Sequence, residues 1–194
     1  MASVYTLIEN VISEERCREI AKDIVAGADE ALDTREGYKH YGITISDIRE
    51  SEEFHHPELV EAISIAYQHF LDNYKMNYNT FELKRLFGNV MVEGSENVAH
   101  DDDGDVYPGK PEVEEHYSCI LMLNSDYEGG ELFFEHHGLE VKLKAGDLIM
   151  FRGNAENLHG VRKITSGSRV NYILFFRNYH REHPMDRGSS IRPW

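Results

Sequence analysis

The sequence predicts an α+β domain in which N-terminal helices pack on a β-sandwich or barrel. Apolar residues recur at helical spacing in two N-terminal segments, whereas from about Phe81 onward short β-rich runs alternate with turn residues. Helices followed by a series of strands are typical of this fold class. Because no repeat, low-complexity stretch or linker divides the chain, we expect one domain over residues 1–194, with helical support over about 1–80 and the barrel over about 81–180.

Two helices are expected. The first is predicted at about residues 14–32, because Ser13 is a suitable N-cap and two acids follow it in the first turn. Pro57 suits the first position of the second helix. The apolar face of that helix would contain Leu59, Ile63, Ala66, Phe70 and Tyr74. Residues 33–56 are polar and aromatic, and we assign them little regular structure.

The expected strands are the runs ELKRLFGNVMV, YSCILML, GELFFE, LEVKL, DLIMF, HGVRKI and SRVNYILFF. One face of the last run would contain Arg169, Asn171, Ile173 and Phe175. The other face would contain Val170, Tyr172, Leu174 and Phe176. Because both faces are largely apolar, Arg169 is expected to enter a covered interior, although an arginine at a strand start is often exposed.

Composition and charge narrow the function classes. The chain has 35 Asp plus Glu against 20 Lys plus Arg, a formal net charge of -15, which disfavours nucleic acid as a partner. No run of about 18 apolar residues could span a bilayer, and no secretory signal is present, so a cytoplasmic protein without a membrane partner is expected. Cys17 and Cys119 are expected to be small core residues and not a disulfide pair.

The stretch VAHDDDGD raises the possibility of a metal site. In extended chain, residues two apart project to the same side, so His100 and Asp102 could bind one ion while Asp101 and Asp103 face away. Alone this pattern is weak, because acidic runs beside glycine are usually solvated turns. A calcium loop is disfavoured because Val106 stands where that loop needs glycine.

A third candidate ligand is His159, in the run NLHGVRKI. Two histidines and one carboxylate can occupy one face of an octahedral ion and leave positions open for a cosubstrate and oxygen, as in non-haem iron(II) oxygenases. A cation would then hold the far carboxylate of the cosubstrate. Arg169 follows His159 by ten residues, and a buried guanidinium matches a carboxylate in two-point fashion.

With these residues the chain resembles the iron(II) and 2-oxoglutarate dependent dioxygenases, and within them the prolyl 4-hydroxylase group. The resemblance rests on motifs in order along nearly the whole chain. These are LIENVISEERCREI, the H-x-D of His100 to Asp102, YSCILMLNSDYEGGELFFE, KAGDLIMFRG, His159-Gly160-Val161 and Ser166-Gly167-Ser168-Arg169.

The resemblance implies a double-stranded β-helix, a jelly-roll or cupin-like barrel, supported by N-terminal helices. It also implies that His100, Asp102 and His159 hold Fe(II) and that Arg169 pairs with 2-oxoglutarate. Tyr117 would donate its hydroxyl to the cosubstrate, and Asn171 stands where the family often has another polar contact. Without the family pattern, Tyr117 would be taken as a core aromatic.

The expected reaction is hydroxylation of an unactivated C–H bond with O2 as cosubstrate, first of a prolyl residue in a peptide or protein. Met91 departs from the family, which often has tyrosine at that place nine residues before His100. Two alternatives stay open. One is a 2-oxoglutarate oxygenase for another side chain or a small metabolite, and the other is a non-catalytic cupin-like metal-binding protein.

Overall fold

The computed structural model describes residues 3–27, 38–41, 57–74, 76, 79–102 and 113–179. Its helices are α1 (Glu14–Gly27) and α2 (Pro57–Tyr74). Its first six strands are β1 (Tyr5–Ile8), β2 (Tyr38–Tyr41), β3 (Phe81–Val92), β4 (Asn97–His100), β5 (Val113–Met122) and β6 (Glu128–Gly129). The other six are β7 (Leu132–Phe134), β8 (Leu139–Val141), β9 (Leu148–Arg152), β10 (His159–Val161), β11 (Ile164–Ser166) and β12 (Ser168–Tyr179).

The strands form two main antiparallel sheets. The major sheet has six strands in the order β1-β9-β5-β12-β3-β2, and the minor sheet has four in the order β4-β10-β7-β8. A further pair joins β11 to β6. The expected α+β class with a double-stranded β-helix is confirmed, since strands adjacent in each sheet are distant in sequence.

The two helices pack on one face of the major sheet. Helix α1 begins where the Ser13 hydroxyl accepts a hydrogen bond from the backbone N–H of Arg16, at 3.3 Å, which is the expected N-cap. Helix α2 spans the expected range and buries Leu59, Ala62, Ile63, Ala66, Tyr67 and Phe70. We call the core between the helices and the sheet the helix-side core. Each large apolar side chain buried there stabilises the fold by about 1.5–3 kcal/mol.

A second core lies between the two sheets, and we call it the inter-sheet core. Its members include Met91, Ile120, Met122, Leu132, Phe134, Phe151 and Val161, contributed by strands of both sheets. Strand alternation separates the two cores along β12. Val170, Tyr172, Leu174 and Phe176 enter the helix-side core, as expected, while Arg169, Asn171, Ile173 and Phe175 face the interior between the sheets.

Two expectations for the fold differ from what the structure shows. Part of the segment 33–56 forms β2, which pairs with β3 at the edge of the major sheet. The run HGVRKI splits into β10 and β11, which belong to different sheets. The expected first helix is observed over Glu14–Gly27, and its remaining residues, 28–32, lie outside the described residues.

The expectation for the two cysteines is met. Cys17 and Cys119 are free and fully buried. Across the described ranges, neither helix combines the length and the apolar character that crossing a membrane would require.

Candidate metal centre

Two histidines face each other across the minor sheet. Strands β4 and β10 are antiparallel, and His100 is the register partner of His159. Directly opposed residues on one face of a sheet have neighbouring side chains, and here the two ring centroids are 4.7 Å apart. Sheet pairing therefore brings together two residues that are far apart in sequence.

Asp102 follows β4 and is held by strand β5 and by the loop after β9. Its backbone N–H donates to the carbonyl oxygen of Gly153 at 2.8 Å. The Ser118 hydroxyl donates a hydrogen bond to Oδ2 of Asp102. A Cβ at position 153 would lie 2.6 Å from that same oxygen, so this close approach requires glycine. These contacts fix the carboxylate beside the histidines.

The three side chains form a compact group of potential ligands. One ligand atom from each of His100, Asp102 and His159 lies within 4.8 Å of the others. Nε2 of His100 is 3.7 Å from Oδ1 of Asp102, and Nε2 of His159 is 3.4 Å from Oδ2. The prediction that these residues bind one metal stays a prediction, but the structure brings them together as that prediction requires.

Backbone contacts assign the tautomer of both histidines. Nδ1 of His100 donates to the carbonyl of Val98 at 2.8 Å, and Nδ1 of His159 donates to the carbonyl of Asn157 at 3.0 Å. A carbonyl oxygen only accepts, so the proton of each neutral ring resides on Nδ1. Each Nε2 therefore presents a lone pair toward Asp102, as metal-binding histidines do.

Burial keeps His159 in its neutral form. The residue is 6% exposed, and its ring packs edge-on against Phe151 with centroids 4.6 Å apart. Burial lowers the pKa of His159 below its usual value, and the nearby Asp102 carboxylate opposes this shift only in part. Near neutral pH the ring is therefore available to bind a cation.

A cavity of about 400 Å³ extends from this group between the two sheets. The guanidinium of Arg169 lines it and is 1% exposed, which confirms the expected covered interior. One terminal nitrogen of Arg169 donates to Oδ1 of Asn171 at 2.5 Å. Met91 is the register partner of Arg169 and also lines the cavity. The predicted cosubstrate residues Arg169 and Asn171 are thus side by side.

Tyr117 does not join this group, and its predicted role is corrected. Along β5 the alternation places Ser118 in the cavity and turns Tyr117 into the helix-side core. Its ring packs against Phe70 with centroids 4.9 Å apart, and its hydroxyl donates to Oε2 of Glu115 at 2.5 Å. The interpretation as a core aromatic, which the residue type alone favours, is the right one.

Sequence reasoning missed Ser118, Gly153 and Tyr127. Ser118 is a polar residue inside the apolar run YSCILML, which is a usable signal. Tyr127 is buried, and its hydroxyl donates to the carbonyl of Leu143 at 3.2 Å. Burial raises the pKa of Tyr127, and the neighbouring Arg169 opposes that rise. Tyr127, which precedes β6, therefore lies close to Arg169 without being one of the residues that line the cavity.

The residues fit an Fe(II) ion and a chelating dicarboxylate. Two imidazole nitrogens and one carboxylate form the donor set of the facial triad, which leaves other metal positions open. A buried guanidinium in the same cavity supplies the charge complement of a second carboxylate.

Comparison with known proteins gives three findings. The family model described as the 2OG-Fe(II) oxygenase superfamily matches residues 86–177, which include all three members of the group and Arg169. Prolyl 3-hydroxylase 2 of Gallus gallus is 26% identical over an alignment covering 88% of this chain. That alignment covers 29% of the chicken protein, so this chain spans less than a third of that relative's length.

Solved structures share the fold. Viral collagen prolyl hydroxylase vCPH from Paramecium Bursaria Chlorella virus-1, in its 2OG complex, superposes with a TM-score of 0.68 at 17% identity, covering 91% of this chain and 96% of that one. A Pseudomonas putida prolyl-4-hydroxylase gives a TM-score of 0.64 at 15% identity, covering 92% and 94%. At these identities the likeness shows a common double-stranded β-helix.

Proposed function

We propose that this chain, whose residues 86–177 match the family model of the 2OG-Fe(II) oxygenase superfamily, is an Fe(II)- and 2-oxoglutarate-dependent dioxygenase of that superfamily. Its proposed reaction is hydroxylation of an unactivated C–H bond of a prolyl residue in a peptide or protein. The observation that carries the proposal is the convergence of His100, Asp102 and His159 beside a cavity that also contains the buried Arg169.

Each residue of the site has a proposed task. Nε2 of His100, Nε2 of His159 and the carboxylate of Asp102 would hold Fe(II). When bound, Fe(II) with 2-oxoglutarate and O2 would supply oxidative decarboxylation coupled to insertion of one oxygen atom into a C–H bond. Arg169 would pair with the distal carboxylate of 2-oxoglutarate, while its hydrogen bond to Asn171 orients the guanidinium.

Surrounding residues would orient the ligands and exclude water. The Ser118 hydroxyl holds the Asp102 carboxylate, and the carbonyls of Val98 and Asn157 fix the two imidazole rings. Such supporting contacts typically contribute 10- to 100-fold in metal affinity or activity. Apolar side chains from both sheets line the cavity, among them Ile120, Leu132, Phe151 and Val161. They keep the site dry, which strengthens the electrostatic interactions within it.

The prolyl substrate is supported by the relatives in sequence and fold. Prolyl 3-hydroxylase 2, the viral collagen prolyl hydroxylase and the bacterial prolyl-4-hydroxylase are all named for proline hydroxylation. Their names differ in the ring carbon that is hydroxylated. The proposal therefore specifies a prolyl residue as the substrate but not which of its ring carbons is hydroxylated. Another side chain or a small metabolite is the alternative substrate.

Two steps test this proposal. Anaerobic titration of the protein with Fe(II) and 2-oxoglutarate should give the weak visible metal-to-ligand charge-transfer band of a chelated 2-oxoacid. Oxygen and proline-containing peptides should then give succinate and peptides that carry one added oxygen atom, and hydrolysis identifies 3- or 4-hydroxyproline. His136→Ala is the matched control for substitution of a site histidine, because His136 is an exposed histidine outside the site.

The outcomes separate the alternatives. A protein that binds iron but shows no band contradicts the 2-oxoglutarate assignment and favours a cupin-like binding protein. A band and succinate formation without oxygen in any prolyl peptide contradicts the substrate and favours the alternative class.

A further inference from the structure

The cavity contains a second arginine at its open end. Three register pairs between β3 and β12 line one wall: Met91 with Arg169, Phe87 with Ile173, and Arg85 with Phe175. Arg169, at one end of this row, is fully covered, whereas Arg85, at the other end, is exposed. Phe175, the register partner of Arg85, follows Arg169 by six residues along β12, a distance on the order of 20 Å. One dicarboxylate bound at Arg169 therefore leaves Arg85 to a different ligand.

A β-bulge directs Arg85 into the cavity. Between Arg85 and Leu83 the register with β12 shifts, because Phe175 pairs with Arg85 while Phe176 pairs with Leu83 and Lys84 is left as the extra residue. Phe81 and Leu83 lie in the helix-side core. Without the bulge, alternation would turn Arg85 to that same side. Bulges commonly re-aim a side chain next to a functional site.

Register also places Arg85 near the metal group. Ser118, whose hydroxyl binds Asp102, is the partner of Phe175 on β5, and Arg85 is the partner of Phe175 on β3. Neighbouring strands are about 4.8 Å apart, so the Cα atoms of Ser118 and Arg85 are separated by roughly 10 Å. A fully extended arginine side chain is long enough to span most of that gap.

The guanidinium of Arg85 lies against the aromatic lining. Its central carbon is 4.6 Å from the centroid of Phe87, which is 7% exposed. In this chain of net charge -15, Arg85 forms no ion pair with any residue that the structure describes. The adjacent Lys84 does form one, at 3.7 Å to Glu82. An arginine stacked on an aromatic ring presents its edge to a planar anion.

We propose that Arg85 selects a substrate that carries a carboxylate close to the C–H bond to be hydroxylated, and binds that carboxylate at the mouth of the cavity. The inference rests on the proposed function, because it assigns the remaining cavity space to the substrate. Phe87 and Phe175 would pack against the apolar part of the substrate, and Arg85 would hold its anionic group. A terminal carboxylate and an acidic side chain on the neighbouring residue share this chemistry.

Binding measurements test the inference without turnover. The protein, kept anaerobic with Fe(II) and 2-oxoglutarate, is titrated calorimetrically with N-acetyl-L-proline, N-acetyl-L-prolinamide and the α-amide of N-acetyl-L-prolyl-L-aspartic acid, whose side-chain carboxylate is free. The acid, the neutral amide and the acidic dipeptide distinguish a terminal carboxylate from a side-chain one. We expect at least one carboxylate probe to bind about tenfold or more tightly than the neutral amide, as for a charge-assisted hydrogen bond.

Variants locate the effect. Arg85→Gln should remove that preference, and Arg85→Lys should retain part of it, because the charge stays while the planar fork is lost. Lys84→Gln is the matched control: it makes the same charge change one residue away, on the bulged residue, and should keep the preference. Equal binding of all three probes by the original protein, or a preference that survives in Arg85→Gln, would overturn the inference. The charge-transfer band in the same samples reports the proposed function separately.

Discussion

The two faces of strand β5 carry out different tasks with alternate residues. Tyr117, Cys119 and Leu121 enter the helix-side core, where all three are fully buried. Ser118 and Ile120 line the cavity on the other face, and Ser118 binds Asp102. The helix-side face is packed apolar surface, whereas the cavity face includes a hydroxyl directed at a carboxylate. Because side chains alternate along the strand, adjacent residues of β5 serve different purposes: one packs in the core and the next lines the cavity.

The comparison predicts that changes on the cavity face affect activity first and that changes on the helix-side face affect stability first. Substitutions on both faces test this rule.

Asp102→Ala should have the largest effect. We expect turnover to fall by more than the roughly hundredfold loss that follows removal of a supporting contact, because a metal ligand itself is lost. Asp102→Glu should also lose most of its turnover, since an added methylene displaces the carboxylate. The measurement is succinate formation together with bound iron. Asp101→Ala is the control and should remain active, and turnover retained in Asp102→Ala would contradict the ligand assignment.

Phe70→Ala tests the helix-side core. Phe70 is fully buried and packs against Tyr117, Phe81 and Phe176. Removing it should lower the free energy of unfolding by about 3–5 kcal/mol through lost burial and a cavity. Urea denaturation gives the value, and the charge-transfer band of the folded fraction should persist. A loss of the band without a loss of stability would contradict the separation of the two faces.

Arg169→Ala should weaken 2-oxoglutarate binding while largely sparing iron. A charge-assisted pair contributes about 1.5–3 kcal/mol, so the 2-oxoglutarate KM should rise roughly tenfold to hundredfold. Titration of 2-oxoglutarate into the iron-loaded protein measures the change. Arg169→Lys keeps the charge but not the two-point geometry. Its 2-oxoglutarate KM should therefore lie between those of the original protein and Arg169→Ala. An unchanged KM in Arg169→Ala would remove this residue from the cosubstrate site.

Tyr117→Phe should have the smallest effect, and it tests the correction made above. Loss of the hydrogen bond to Glu115 should cost about 1 kcal/mol of stability. The 2-oxoglutarate KM should change by less than about twofold, because the hydroxyl lies on the other side of the sheet from Arg169. A large rise in KM would restore the role that the family resemblance implied.

Local patterns in the sequence were sufficient for much of the fold. Ser13 and Pro57 mark helix starts, and the alternation around Arg169 separates the two faces of β12. By contrast, β2 is a short edge strand whose pairing with β3 depends on tertiary contacts. Nothing in its four residues distinguishes it from a loop.

The candidate site was predictable only in part, for physical reasons. Spacing brings His100 and Asp102 to one side, but the pairing of His100 with His159 is a long-range register. Tyr117 was misassigned because its role was carried over from the family resemblance, whereas the alternation of β5 turns its side chain into the helix-side core. The bulge at Lys84 depends on β12 as well as β3, and hence the orientation of Arg85 becomes visible only in the folded sheet.

The cross-strand pairing of His100 with His159 links metal binding to folding equilibrium. A slip of one residue between β4 and β10 would turn one imidazole to the opposite face and separate the donors. An ion that binds all three donors therefore binds the native register and neither slipped nor unfolded chains. By mass action, a free metal concentration one hundred times the Kd would stabilise the native state by about 2.7 kcal/mol. Iron supply would then set the fraction of the chain that is folded as well as the fraction that is active.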